Sequence, residues 1–418
     1  MTEDSSRSKP SESTRAALRF LPPTSRLEIP PHTLVLQRWR AESGPREDRE
    51  FTSFHAYIPP QIEALEPLVS GALISECETA LDEISRLDAE YGKHLAPLSG
   101  MMLRTEAIAS SKIEDEHATV EDYLRAFYGN RSNRSALAIV HATEAIDHLL
   151  ENGINKANIL ESHRMLMADA GLEAMYAGNY RKVQNWIAGS DHSPRGALHI
   201  PPPPGEVSRL MHDLITFSNR NDIPVLVQAS IMHGQFENIH PFTDGNGRIG
   251  RAMITALLRQ RGYTRYTTIP IAAAFASRRH DYFRTLWAYR DGDAHPIVRL
   301  IAESIRVASQ ESRVTAQRLV EMPGTWDFKA GNPRGHSAAG EIIERLSAAP
   351  FLSSEYLEET MNFSASASHR AIAQLTDAEI IREITGKKRN RVWVAADVID
   401  ELKSLELRIG ERMANFAI

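Results

Sequence analysis

The chain has 418 residues and a net charge of −6 from 48 basic and 54 acidic side chains, with 42% apolar and 24% charged residues. Those are globular values for roughly two to four domains, and they exclude a disordered or fibrous chain and a polycation built to coat nucleic acid. The single cysteine, Cys77, excludes an internal disulfide framework and cysteine-cluster zinc sites; no apolar run approaches a membrane span and no apolar signal core opens the chain, so the expectation is a cytoplasmic protein without a membrane partner.

In chain order, residues 1–16 are rich in Ser, Pro and charge and read as a disordered tail. Residues 17–95 begin as an arm punctuated by Pro22-Pro23, Pro30-Pro31 and Pro59-Pro60, and turn helical after Pro60. Apolar spacing predicts helices over 97–114, 135–152 and 159–170. Residues 183–187 and 197–200, either side of a turn-rich 189–196, predict strand, turn, strand, the one hairpin of the first 300 residues, ended by Pro201 to Pro204. Helices resume from Val207 to about Gln317. Two prolines, three glycines and a lone Trp make 323–336 a linker. Beyond it, helices over 337–349, 353–361 and 364–375 and strands over 380–384 and 392–394 make a winged helix-turn-helix domain over 337–418.

The string His240-Pro241-Phe242-Thr243-Asp244-Gly245-Asn246-Gly247-Arg248-Ile249-Gly250-Arg251 stands apart. A helix over 225–239 ends at Pro241 and leaves His240 at its tip. Gly245, Asn246 and Gly247 tolerate positive φ and make an anion nest with the free N–H groups of the helix that follows. Arg248 and Arg251, three apart, share a face of that helix. Asp244 at the lip suits a hard cation such as Mg²⁺. A base, a metal carboxylate, an amide nest and two arginines describe a polyphosphate site with proton abstraction beside it.

This string resembles the signature of Fic-domain proteins, His-Pro-Phe-x-(Asp/Glu)-Gly-Asn-Gly-Arg-x-x-Arg, at every fixed position. Gly178-Asn179-Tyr180-Arg181 with Gln184-Asn185-Trp186-Ile187 is similar to the family's flap, and Leu210-Met211 with Asp213-Leu214 to its post-flap segment. The resemblance implies a mainly α fold, a Fic helical core over 96–322 with a β-hairpin flap, plus the C-terminal winged helix. It implies transfer of AMP from ATP to a Ser, Thr or Tyr hydroxyl of a protein: His240 as general base, Asp244 on Mg²⁺, Gly245, Asn246 and Gly247 on phosphate, Arg248 and Arg251 on the β and γ phosphates. Gly247, rather than Lys, favours AMP as the group transferred. Tyr282 lies where the family has a tyrosine near the nucleotide, and a plain core aromatic fits it equally. The flap residues Val183, Gln184, Asn185, Ile187, Ala197, Leu198 and Ile200 would dock the target by backbone pairing. Ser110 and Glu114 resemble the family's inhibitory motif, with Asp115 where Gly or Asn is usual, and imply that Glu114 brakes the reaction by a buried bidentate pair with Arg251.

Three matters stay open from sequence. One is whether the main activity is AMP transfer or hydrolytic AMP removal. Another is whether the chain modifies itself or forms a homodimer. The third is whether the winged helix binds DNA or docks protein. Its wing carries Lys387, Lys388, Arg389 and Arg391, but residues 336–418 hold 10 basic and 13 acidic side chains, a small electrostatic footprint for DNA. A DNA-binding regulator with a nucleotide-sensing core is the reading from another class.

Overall fold

A computed structural model describes residues 26–41, 43–95, 99–129, 132–346, 349–386 and 391–416. The expected tail over 1–16, the arm up to residue 25 and the wing residues Lys387, Lys388 and Arg389 lie outside the described residues. Among those described, no helix is long and apolar enough to cross a membrane.

The arm enters as an extended segment stitched to the body. Ile29 N donates to Gly292 O and His32 N to Arg290 O, both at 3.0 Å, and Leu27 and Ile29 are buried. An antiparallel pair follows, β1 (Thr33–Arg38) and β2 (Ser53–Ile58), with Thr33 opposite Ile58 and Arg38 opposite Ser53. It corrects the expectation that the first hairpin lies at 183–200. The proline pairs at 30–31 and 59–60 bound this sheet, where they cost no ladder hydrogen bond.

The body is helical: α1 (Gly71–Leu95), α2 (Ser99–Ile113), α3 (Val120–Phe127), α4 (Arg134–Asn152), α5 (Lys156–Leu166), α6 (Pro204–Ser218), α7 (Val225–Ile239), α8 (Asn246–Gln260), α9 (Ile271–Ser277), α10 (Arg279–Arg290) and α11 (His295–Lys329). Helix α7 is the axis, since all of its residues are buried, as an all-round apolar environment demands. Its buried amide side chains bond to the backbone: Gln228 donates to Phe217 O at 2.9 Å, Gln235 to Pro60 O at 2.6 Å and Asn238 to Gly234 O at 2.8 Å. Helix α6 starts at Pro204, where a missing N–H costs nothing. Its buried Asp213 accepts from Ile62 N at 2.9 Å and Glu63 N at 3.1 Å, fixing the end of the arm.

Two further expectations are corrected. Residues 323–336 are not a linker along their length, because α11 runs through Pro323 to Lys329. The proline removes one backbone bond, but Trp326 is buried and its indole N–H donates to Asp397 at 2.9 Å, so packing holds the last turns. The helix expected over 353–361 is present but shorter and partly π: strand β3 (Phe351–Ser353) ends first, Ser354 and Glu355 are α-helical, and a π turn follows at Tyr356–Thr360. Helices α12 (Ala338–Leu346) and α13 (Ala365–Asp377) precede β4 (Ile381–Glu383) and β5 (Val392–Ala395), and the three strands pair in the order β3-β5-β4. The last helix, α14 (Ala396–Ala414), was not expected. It returns to α11, with Arg408 and Arg412 on Glu311 at 2.8 and 2.7 Å and Arg318 on Glu401 at 2.7 Å.

Candidate active site

The turn between α7 and α8 is built by two left-handed residues. His240 caps α7 at φ 50°, ψ 61°, and Gly245 precedes α8 at φ 78°. Asn246 and Gly247 are helical, which corrects the expectation of three residues at positive φ. Gly245 is needed twice, for its φ and because a Cβ there would lie 2.8 Å from Leu166. The Asn246 side chain is spent on the loop, its oxygen accepting from Phe242 N at 2.8 Å and its amide donating to Phe242 O at 2.9 Å. The nest is therefore the first turn of α8, whose N–H groups have no intrahelical acceptor.

Buried groups to which the sequence reading gave no role hold this turn. Arg181 donates from Nε to His240 O at 2.8 Å and from Nη2 to Pro202 O at 2.5 Å, which ties flap, α7 and the proline run together. Burial lowers its guanidinium to about 10, so it stays charged at neutral pH, at the negative end of α7. His163 accepts from Gly178 N at 2.9 Å at Nδ1, so Nε2 carries the proton toward Asp244 O at 3.1 Å, and the ring stacks on Phe242 with centroids 3.7 Å apart. Arg181 stands in the flap motif with no role read for it, and no local motif announces His163, because both act on backbone brought in from elsewhere in the chain.

The His240 imidazole has Nδ1 3.3 Å from Glu237 O. With the proton there, Nε2 is the free acceptor. Burial, with the Arg181 charge, pushes the imidazole down to about 4, so it is a neutral base at neutral pH. It lines a cavity of about 700 Å³ together with Glu114, Gly247, Arg251 and Tyr282, roofed by Ile187 and Leu198 and walled by Phe283 and Trp287.

Arg251 lies in that cavity and is 1% exposed. Nε donates to Ser110 Oγ at 2.9 Å, and Nη2 to Ser110 O at 2.8 Å and Glu114 Oε1 at 2.9 Å. The Glu114 contact is a single one, not the bidentate pair expected, because Ser110 already takes the Nε edge. Gly247 makes room for the carboxylate, since a Cβ there would stand 2.0 Å from Glu114 Oε1. Asp115 adopts φ 63° and is held there by Arg279, with two contacts of 2.8 Å. An ion pair thus supports a turn that Gly or Asn would make unaided.

Arg248 and Arg251 do not open into one space. Arg248 Nη2 is 3.3 Å from Asp244 Oδ2, and both line a second cavity of about 510 Å³ on the other side of the start of α8. The Asp244 carboxylate is 56% exposed, with Oδ1 accepting from Gly245 N at 2.6 Å. Among the described residues no cluster of three His, Cys, Asp or Glu stands ready for a metal. One exposed carboxylate suits Mg²⁺, which takes most of its ligands from phosphates and water. Tyr282 is buried on the floor of the larger cavity, its hydroxyl 2.8 Å from His233 Nε2 and its ring stacked on Phe275 at 5.1 Å.

The flap carries one bridge, Ile187 to His199, with Ile187 N donating to His199 O and Leu198 N to Ile187 O, both at 2.9 Å, and not the two full strands expected. Gln184 and Asn185 are braces, donating to Pro201 O and Phe242 O at 2.9 Å, which leaves no regular ladder between 183 and 200. Trp186 is half-buried edge-on against Trp39, centroids 5.3 Å apart, and Ile200 and Ala197 join the small core under β2. Val183, Ile187 and Leu198 are exposed.

Residues 153–258 match the model of the Fic/DOC family. A protein adenylyltransferase Fic of Aedes aegypti is 32% identical over 154 residues, 36% of this chain and 27% of that protein. One of Drosophila willistoni is 29% identical over 236 residues, 56% of this chain and 44% of that protein. The chain thus spans less than half the length of these curated relatives. The crystal structure of a Fic family protein from Desulfovibrio desulfuricans G20 superposes with a TM-score of 0.52 at 24% identity, over 78% of this chain and 97% of that one, which is a likeness of fold. Residues 153–258 are thus similar to the Fic/DOC family, and the mainly α body has the Fic fold.

Proposed function

We propose that this Fic-domain chain transfers AMP from ATP to a Ser, Thr or Tyr hydroxyl of a protein, and that Glu114 holds the resting enzyme in check. The observation that carries the reading is a single cavity in which a neutral His240, the start of α8 and an Arg251 already engaged by Glu114 face one another. The target oxygen attacks the α-phosphorus, its proton passes to His240 Nε2, and the bond from the α-phosphorus to the bridging oxygen breaks to release pyrophosphate. The amides of α8 and Arg251 hold phosphate charge, and Asp244 with Arg248 serves the other side of the chain of phosphates. Mg²⁺, held by Asp244 when bound, neutralises phosphate oxygens. Exposed Ile187, Leu198 and Val183 at the flap, and the N–H groups of Val183 to Trp186, which donate to nothing among the described residues, support docking of an extended target segment.

The order helix, strand, π turn, helix, strand, strand after residue 337 supports a winged-helix reading of the C-terminal part. Its helix α13 exposes His369 and Arg370 as its basic residues, which favours protein docking over DNA.

The test is incubation of the full chain with α-labelled ATP, Mg²⁺ and host lysate, beside His240→Ala. Label on protein that falls by about 10²–10⁴-fold in the variant, with ATP binding retained, is the expected result. Release of AMP from pre-adenylylated protein, with no labelling, would replace transfer by hydrolytic removal.

A further inference from the structure

Glu237 has no part in the reaction described above, yet it occupies the same cavity. It lies on α7 one turn before His240 and lines the space shared by Glu114, Arg251 and Tyr282. The residue is 9% exposed, and its Oε1 is buried with no hydrogen-bond partner among the described residues. Gly250 of α8 makes room for it, since a Cβ there would stand 2.4 Å from that oxygen. His233 Nδ1, 3.9 Å away, is equally unpartnered. The guanidinium of Arg251 thus has one carboxyl group from the turn after α2, Glu114, and a second from α7 within its field.

We infer that Glu237 is a positioning residue for the nucleotide that acts through Arg251: as a carboxylic acid it shares the cavity with the charged guanidinium without consuming the charge that a phosphate needs. A buried carboxyl oxygen without a donor is costly when ionised and tolerable when protonated. Burial pushes this carboxyl up to about 8, with Arg251 pulling it down and Glu114 pushing it up. The groups that face it are Glu114 from the turn after α2, Arg251 from α8, Tyr282 from α10, His233 on its own helix and His240 at that helix's cap. Burial holds both histidines neutral and the Tyr282 phenol well above its ordinary value. Once ionised, Glu237 would take Arg251 as Glu114 does at rest, and a phosphate would have to displace it. The inference uses the reading above for the identity of the ligand, ATP.

The experiment is calorimetric binding of ATP with Mg²⁺ from pH 6.5 to 9, in the full chain carrying Glu114→Gly, with and without Glu237→Gln, and AMP incorporation in the same samples. Removing Glu114 takes away one repelling carboxylate, so the midpoint falls at or below about 8. The chain with Glu237 should lose affinity by about tenfold toward pH 9, while the Gln variant, which cannot ionise, keeps a flat profile. Glu237→Ala, which removes the support, should bind less tightly at every pH. Equal profiles in the Glu and Gln chains, or no ATP binding in either, would overturn the inference. The predicted binding profiles without AMP on any protein would leave it standing and instead sink the transferase reading.

Discussion

His240 works from a left-handed backbone conformation that a non-glycine residue adopts at some cost, and the turn holds it there through Arg181 and the proline that follows. The same burial that makes it a base makes it a liability in acid. His32, His163, His199, His233 and His240 are all pushed below their ordinary 6.5 by burial. Between about pH 6.5 and 4 the unfolded chain takes up protons on these rings that the folded chain refuses, so stability falls as pH falls. Glu106 and Glu237 act in the opposite sense. Burial raises both to about 8 from 4.5, so between 6.5 and 8 the folded chain holds protons that the unfolded one has lost, and stability falls as pH rises. The melting temperature should therefore peak near about pH 6.5, and circular dichroism melts from pH 5 to 8.5 check this; a monotonic rise to pH 8.5 contradicts it. The motif residues were legible one by one because the string is contiguous. The partners of Arg251 were legible only in part. Ser110 and Glu114 could be named, but that Ser110 takes the Nε edge and leaves Glu114 one contact depends on packing of α2 on α8, which no local pattern encodes.

Helices with a clean apolar face were legible from spacing, α2 and α4 among them, while α7 was placed correctly although its polar residues are buried too. The sheet elements were not. Leu34 to Leu36 reads as one short apolar run beside prolines, and its partner strand lies fifteen residues or more further along the chain, so pairing depends on contacts remote in sequence. The flap shows alternation without the ladder, because Gln184 and Asn185 give their side chains to the backbone of other segments. Its turn depends on Gly189, at φ 86°, where a Cβ would stand 2.7 Å from both Ala197 N and Arg195 O. Neither backbone atom can yield without opening the turn. Gly189→Ala should leave ATP affinity as it is and lower the transfer of AMP to a protein target by about tenfold or more, through misplacement of the acceptor. Calorimetry with ATP beside target labelling separates the two effects, and an equal loss in both would assign the flap to nucleotide binding.

Across the whole molecule, the C-terminal elements bear on α2 and α3, the helices either side of Glu114. Lys112 of α2 pairs with Glu406 of α14 at 2.5 Å, Arg382 of β4 and Lys403 of α14 both meet Glu121 of α3 at 2.8 and 2.7 Å, and Arg125 donates to Ile384 O. Part-exposed pairs of this kind are worth about 0.2–1 kcal/mol each. Lys112→Ala combined with Arg382→Ala should loosen α2 and raise transfer several-fold, up to about tenfold, and should add nothing in a chain that already carries Glu114→Gly. An additive gain there would show that the contacts act elsewhere. The joining of α14 to α11 was not legible because residues 396–414 bury one face against a helix some eighty residues earlier. The central claim is that Glu114 restrains an AMP transferase built on His240 and Arg251. Its most direct measurement is the intact mass of protein after incubation with ATP and Mg²⁺, for the wild type, Glu114→Gly, and Glu114→Gly with His240→Ala. Glu114→Gly should add AMP at about 10²-fold the wild-type rate or more, and the second substitution should abolish the gain. Equal, low incorporation by the wild type and Glu114→Gly, with both shown to bind ATP, would contradict the claim.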